Sequence, residues 1–171
     1  MDGAWNGWYD NGQKNYSGNY KNSLKDGSWN YWYIDGKTNQ SGSFSNGLKT
    51  GHWTFWTESG SKDREGDYKF DKPYGKWTYY YPEGMVFRTE KYELGKLTGK
   101  SASYYKNLKL MSESRYSIIT EKEKIATKTN GKAVYKKRKV SVPDGTWKFY
   151  SETGEVMSTI IYKNGVKVAK Q

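Results

Sequence analysis

The feature that most constrains the fold of this chain is an internal repeat with a period of 24 residues. Glycines recur at that interval, and a tryptophan stands two residues after each of the first four. The leading glycines of the regular copies are Gly3, Gly27, Gly51, Gly75 and Gly99. A further copy begins at Gly145, and a degenerate copy starting near Lys122 fills the interval before it. A period of this length predicts a tandem array of small supersecondary units that stack on one another.

Seven units account for the whole chain and leave no room for a second domain. We place them at 3–26, 27–50, 51–74, 75–98, 99–121, 122–144 (degenerate) and 145–171. In this register 18 of the 19 glycines fall into four columns, and all 8 tryptophans fall into two. Gly7 alone lies outside the glycine columns, so we expect substitution there to destabilise the protein less than substitution in a column.

Each unit has the pattern of one β-hairpin. Alternation places Trp29 and Tyr31 on the same face of a strand. Asp35-Gly36 favours a tight hairpin turn, and Asn46-Gly47 marks the turn into the next unit. Other glycines let an aromatic ring lie across the backbone of the adjacent strand. The flanks of the segment from Ser117 to Thr127 are β-branched, so we expect a strand there as well.

These patterns predict an all-β protein. The expected architecture is an elongated single-layer antiparallel meander of about seven tandem β-hairpin repeats, each of 23–24 residues. A lone hairpin is marginally stable in water, so the hairpins must be stabilised by their neighbours.

The composition restricts what such a sheet can bury and bind. Hydrophobic residues make up 34% of the chain and aromatic residues 18%, so the buried surface must be largely aromatic. Disordered chains are poor in aromatics, and no apolar run is long enough for a membrane-spanning helix. The chain has no Cys and one His, which excludes disulfides, thiolate sites and His-rich metal sites. We therefore expect no cofactor and no metal.

No arrangement of residues predicts catalysis. His52 occupies a position that holds Ala, Ser, Lys or Thr in other units, which favours a solvated side chain. The acidic residues between Asp63 and Asp71 alternate with Lys and Arg, a pattern of ion pairs on an exposed strand. The sequence contains no phosphate-binding loop and no nucleophile elbow. We expect a protein that is not an enzyme and has no small-molecule substrate.

The repeat resembles a known family. The segment Tyr20-x-Asn22-x-x-x-Asp26-Gly27-x-Trp29-x-Tyr31-x-x-x-Asp35-Gly36 is similar to the MORN repeat. Gly-x-Trp in place of Gly-x-Gly looks like the bacterial MORN variant, which is common in YwqK-like antitoxin proteins. The resemblance implies a β-hairpin unit, a scaffold for protein partners or phospholipid membranes, and an antitoxin or immunity role. Units five and six depart from the pattern: Ser101 and Lys124 replace Trp, and Leu108 replaces the second Gly.

Choline-binding cell-wall repeats are the competing resemblance. They are also rich in Gly, Trp and Tyr, but their units are shorter and begin with Gly-Trp. The Gly-x-Trp pattern and the longer period of this chain favour the MORN variant.

Positive charge is concentrated in the last three units. Residues 98–171 hold 16 Lys and Arg against 6 Asp and Glu, so +10 of the net charge of +11 lies there. We call the densest group the basic patch: Lys122, Lys124, Lys128, Lys132, Lys136, Lys137, Arg138 and Lys139. It is interpreted either as a solvated face that keeps the sheet soluble or as a binding site for an acidic protein. Anionic membrane and nucleic acid are the other partners considered.

A second set of residues is the rival binding surface. We call it the aromatic stripe: Trp8, Trp32, Trp56, Tyr80 and Tyr104. If the Trp5 and Trp29 column packs into one face of the sheet, this stripe lies on the other face, with the composition of an interface. Alternatively, both faces curl around their rings and expose nothing unusual.

The function expected from the sequence is a non-enzymatic protein-binding repeat module, such as an antitoxin or immunity protein that occludes a toxin. The alternative is a scaffold or surface protein that binds anionic membrane, glycan or nucleic acid through its basic C-terminal units. No basic and apolar leader precedes Trp5, so we expect a cytoplasmic protein. Export or a surface location would require a signal segment trimmed from this sequence.

Overall fold

The computed structural model describes residues 2–127, 129 and 132–170, and within these ranges the fold is one antiparallel sheet of 15 strands. The strands are β1 Gly3–Trp8, β2 Lys14–Lys21, β3 Leu24–Trp32, β4 Thr38–Ser45, β5 Leu48–Trp56, β6 Lys62–Lys69, β7 Lys72–Tyr80, β8 Val86–Glu93, β9 Lys96–Leu97, β10 Gly99–Tyr104, β11 Leu110–Thr127, β12 Ala133–Pro143, β13 Gly145–Tyr150, β14 Val156–Lys163 and β15 Val166–Lys170. The main path through the sheet follows the order of the chain but omits β9, which pairs with β8, and β12, which pairs with β11. The predicted all-β single-layer meander is confirmed.

The turns form where the dipeptides predict them. Asn46 and Gly47, with φ of +49° and +80°, make a two-residue turn between β4 and β5. Inside a hairpin, Gly36 takes a φ of +85° and donates its N–H to the Tyr33 carbonyl at 2.9 Å. Both turns need positive φ, which Gly and Asn adopt with little strain.

The core is a row of aromatic rings on one face of the sheet. Trp29, Trp53 and Trp77 are 1%, 0% and 3% exposed. Each indole lies against a glycine of the preceding strand; a Cβ added to Gly42 would stand 2.2 Å from the Trp53 ring. Phe44 meets the same ring edge-on at a centroid distance of 5.1 Å. The prediction that rings lie across glycine backbone is confirmed.

Gly7 is also needed for packing. The Tyr16 ring lies over it, and a Cβ at Gly7 would stand 2.2 Å from a ring carbon. The expectation that substitution at Gly7 destabilises less than substitution in a column is therefore wrong, because Gly7 accommodates a ring in the same way as Gly18, Gly42 and Gly66.

The sixth unit does not take a place in the row of the others: its strand residues belong to β11 and β12, which pair with each other. β11 continues through the position where the next turn would come and pairs with β12 from Tyr116↔Pro143 onwards. The fifth unit contacts the unit that begins at Gly145 directly: the Tyr105 hydroxyl donates to the Tyr150 carbonyl at 2.7 Å. The row therefore contains six described hairpins, and we call residues 117–127 and 132–142 the arm.

A local difference in sequence explains why the arm forms in place of a turn. In the other units, turns with two residues at positive φ occur at 22–23, 46–47, 70–71, 94–95 and 164–165. The corresponding position after unit five is Ile118-Ile119. β-Branched residues are strained at positive φ and favour extended backbone, so β11 runs straight on. The predicted strand from Ser117 to Thr127 is confirmed, whereas the Asn130-Gly131 turn lies outside the described residues.

Candidate functional site

The two faces of the sheet differ in what they expose. The face that carries Trp29, Trp53 and Trp77 is called the core face, and the opposite one the outer face. Alternation places the aromatic stripe on the outer face. There Trp8 is 60% exposed, whereas Trp32, Trp56, Tyr80 and Tyr104 are partly buried.

Charged neighbours cover much of the aromatic stripe. The Lys14 ammonium lies 5.6 Å from the centre of the Trp32 ring, and Lys62 lies 5.3 Å from that of Tyr80. The Tyr80 hydroxyl donates to the Glu65 carboxylate. Desolvation and this hydrogen bond raise the pKa of Tyr80 to about 12. Side chains of the same sheet therefore cover part of the aromatic stripe, which makes it less suitable as an apolar interface.

An open depression of about 540 Å³ lies under the fifth unit on the outer face. Tyr104 of the aromatic stripe lines it together with Lys100, Glu113 and Arg115. Glu113 accepts a hydrogen bond from the Tyr150 hydroxyl at 2.6 Å, so its carboxylate is already engaged within the sheet.

The pairing register of the arm places the residues of the basic patch on two opposite faces. Directly opposed residues of an antiparallel pair share a face, and Lys122 is opposed by Lys137. Thr120 is opposed by Lys139, and Lys124 by Tyr135. We call this surface the lysine face: Lys122, Lys124, Lys137 and Lys139.

The other face of the arm is neutralised by ion pairs. Arg138 lies 3.6 Å from Glu121 and 3.6 Å from Glu123, on the neighbouring strand. Lys136 is opposed by Glu123 and shares this face. Because these groups are about half exposed, the pairs contribute little stability, but they balance the charge of this side.

The lysine face has no such balance. This face is formed by every second residue, at even positions from 118 to 124 and at odd positions from 135 to 141. None of these residues carries a carboxylate, and the four lysines are exposed. Opposed like charges such as Lys122 and Lys137 are unfavourable in a sheet. An anion that binds between them would relieve this repulsion.

Four of the eight basic patch residues thus come together on one surface. Lys136 and Arg138 lie on the opposite face of the arm, Lys132 is exposed just before β12, and Lys128 lies outside the described residues. The sequence located the charge, but the pairing register of the arm was needed to show which lysines act together.

Sequence reasoning missed a polar gap in the core face. In β10 and β11, Ser101 is opposed by Ser114, and Ser103 by Ser112. Ser101 and Ser103 stand where units two to four carry aromatic side chains, Ser114 stands in a glycine column, and Ser112 stands where the first four units carry Tyr, Gln or Arg. We call the depression above them the serine slot. The loss of Trp at Ser101 was the visible signal, but the facing serines of β11 become meaningful only once the two strands are paired.

One wall of the serine slot contains a buried ion pair. Glu90 is 7% exposed and accepts a hydrogen bond from the Tyr92 hydroxyl at 2.7 Å. The Arg88 Nε atom lies 3.3 Å from the same carboxylate; it is buried and makes no hydrogen bond within the described structure. Desolvation, with hydrogen bonds to Tyr79 and Glu90, raises the pKa of Tyr92.

The described residues contain no group of three or more His, Asp or Glu side chains that could hold a metal ion. Within the same residues, no helix has the length and apolar character required to cross a membrane.

Comparison with known proteins identifies the end hairpins. The model of the MORN repeat variant matches residues 1–22 and 143–164, which contain the β1–β2 and β13–β14 hairpins. These segments are similar to MORN repeats. Between them, Trp29, Trp53 and Trp77 each lie on a glycine of the preceding strand, whereas the fifth unit lacks this contact. This supports the resemblance to a MORN repeat protein. No curated protein matches the chain.

Proposed function

We propose that this chain is a non-enzymatic binding module that holds an acidic protein partner on the lysine face of its arm. The observation that carries the proposal is the set of four exposed lysines on one side of a projecting ribbon, with no carboxylate among them. Concentrated charge of one sign attracts an oppositely charged partner and speeds association.

The geometry of the arm favours a polypeptide over other anions. Lysines two residues apart on a strand repeat at about 7 Å, and an acidic side chain at every second residue of an extended segment has the same repeat. Beyond Tyr116, β11 and β12 pair only with each other among the described strands. Their outer edges therefore offer backbone groups to which an extended segment can add as a further strand.

The more specific part of the proposal is an antitoxin or immunity role. In this reading, the partner is a toxin whose acidic surface is occluded by the arm and the adjoining sheet. The similarity of the end hairpins to the MORN variant supports this reading. Genes that flank this one provide a test: the product of a neighbour should be toxic alone and harmless when this chain is coexpressed.

A defined peptide tests the lysine face. A fluorescent twelve-residue peptide of alternating Glu and Thr should bind the protein, and added salt should weaken the complex. Replacing Lys122, Lys124, Lys137 and Lys139 together by Gln should lower its affinity at least about tenfold. The matched control replaces Lys21, Lys76, Lys91 and Lys163 by Gln. It has the same net charge and should bind as the unaltered protein does.

The same assay separates the alternative partners. A DNA duplex and vesicles that contain phosphatidylserine are titrated beside the peptide. If the duplex or the vesicles bind more tightly than the peptide, and this binding is lost when the lysine face is neutralised, the partner is nucleic acid or membrane and not an acidic protein. Equal loss in the control variant would show that net charge, and not the lysine face, governs binding.

A further inference from the structure

We propose that the serine slot is a binding site for a single sugar ring. The slot has a floor of four serines, a wall formed by Arg88 and Glu90 of β8, and a wall formed by Trp147 and Phe149 of β13. This site goes beyond the proposed function, because it lies in the core face of the array and does not involve the lysine face.

The slot arises from two linked substitutions in the repeat. In regular units, a Trp ring lies over a glycine of the preceding strand, as Trp77 lies over Gly66. In the fifth unit, Ser101 takes the Trp position, and in the preceding strand, which belongs to the fourth unit, Glu90 takes the glycine position. Neither substitution alone would leave a usable site. A Trp could not fit over Glu90, and a Ser facing glycine would offer little chemistry.

The size of the slot suits one ring. Three strand spacings separate β8 from β13, so the walls stand about 14 Å apart at the backbone. The free volume is about 150 Å³. A cavity of that volume accommodates a six-membered ring. Tyr116 also lines the slot, next to Trp147, with ring centres 5.2 Å apart.

The polar groups of the slot need partners. Ser101, Ser103 and Ser112 line the cavity and each carries a hydroxyl that can donate and accept. The buried Arg88 Nε atom lies 3.3 Å from the Glu90 carboxylate but makes no hydrogen bond within the described residues. Buried polar groups are normally satisfied, so donors and acceptors gathered around one cavity indicate a ligand rich in hydrogen-bonding groups.

A sugar ring matches both walls. Its C–H face can pack on the Trp147 indole, while its edge hydroxyls reach the serines, the Arg88 donor and the Glu90 carboxylate. A phenyl or indole ring would fill the same volume but leave these polar groups desolvated and unpaired. A simple ion is disfavoured because Arg88 and Glu90 already neutralise each other, at 3.3 Å.

A panel of methyl glycosides tests the site. Glucoside, galactoside, mannoside and N-acetylglucosaminide are titrated to about 50 mM, since ligands of about 13 to 16 non-hydrogen atoms bind weakly. The readout is the NMR signal of the Trp147 indole N–H, assigned with Trp147→Phe. At least one glycoside should shift this signal saturably, and the Trp29 indole signal should stay unchanged.

A filling variant provides the decisive comparison. Glu90→Gly combined with Ser101→Trp rebuilds the regular Trp-on-glycine contact, so the protein should stay folded and lose glycoside binding. If this variant does not unfold cooperatively, Arg88→Gln carries the test and should weaken binding at least about tenfold. Neutralising the lysine face should leave glycoside binding intact, which separates this site from the proposed function.

The proposal would be overturned if no glycoside shifted the Trp147 signal, or if the folded filling variant still bound a glycoside. It would also be overturned if p-cresol, which has the ring of a tyrosine side chain, bound and the glycosides did not. In that case the slot accepts an aromatic side chain of a partner.

Discussion

Two kinds of glycine hold this array together, and they act through different physical effects. Gly42 has ordinary strand backbone but no room for a side chain, because the Trp53 ring occupies the space above it. Gly12 has a φ of +80° and open space around it, so only its backbone conformation matters. The sequence shows both as periodic glycines, and the packing of the rings separates them.

A pair of alanine substitutions tests this distinction. Gly42→Ala should displace the Trp53 ring and cost about 3 kcal/mol, in the range of losing a buried aromatic contact. Gly12→Ala should cost about 1 kcal/mol, the strain of a β-carbon at positive φ. Urea unfolding followed by Trp fluorescence measures both. Equal costs would mean that the ring does not depend on the glycine.

At the scale of the element, the tyrosines at the hairpin ends join successive units. Tyr9 donates its hydroxyl to the Trp32 carbonyl at 2.7 Å, and Tyr33 donates to the Trp56 carbonyl at 2.7 Å. Tyr105 makes the same bond to Tyr150, across the residues that form the arm. The arm is therefore an insertion into an otherwise continuous array, because the hairpins on either side of it are bonded as neighbours.

Removal of the arm tests that description. Ser117 is directly opposed to Val142, as Lys69 is to Lys72 at a regular turn. Replacing residues 118–141 by Asn-Gly should therefore close the array with an ordinary two-residue turn. We expect the sheet signal in circular dichroism and a single cooperative thermal transition to persist, while binding of the acidic peptide is lost. Loss of the cooperative transition would show that the arm belongs to the core.

At the scale of the whole molecule, the aromatic core is in two parts. One cluster is centred on Trp29, Trp53 and Trp77 and reaches Tyr92. The second lies around Trp147, whose ring centre is 5.2 Å from that of Tyr116 and 5.0 Å from that of Tyr162. The serine slot lies between them, so the seam at β10 and β11 has few apolar contacts. In repeat proteins, stability depends on contacts between neighbouring units, and a weak seam divides the array.

Native-state hydrogen exchange should detect this seam. Backbone amides of β13 and β14 should open at a lower free energy than those of β5 and β6, because their cluster is smaller and flanked by the slot. Glu90→Gly with Ser101→Trp should bring the two values closer by bridging the clusters. Identical opening energies across the unaltered sheet would show that the array behaves as one cooperative unit.

Most of the fold and part of the candidate site could be predicted from the sequence. The period, the glycine columns and the turn dipeptides predicted hairpins in a single antiparallel sheet, because these signals depend on local backbone preference and alternation. The position of the positive charge was also visible, as was the loss of Trp at Ser101.

Only the tertiary structure decided the rest, because the remaining features depend on which residues face one another across strands. The sequence by itself determined the hairpins through φ preferences that act over a few residues. Whether the residues of the arm stack in the row or lie outside it depended on the absence of a turn at Ile118-Ile119 and on the pairing register that follows. The same register grouped four lysines on one face and set Ser101 against Ser114. Such groupings bring together residues that are distant in the chain, so no local pattern could reveal them.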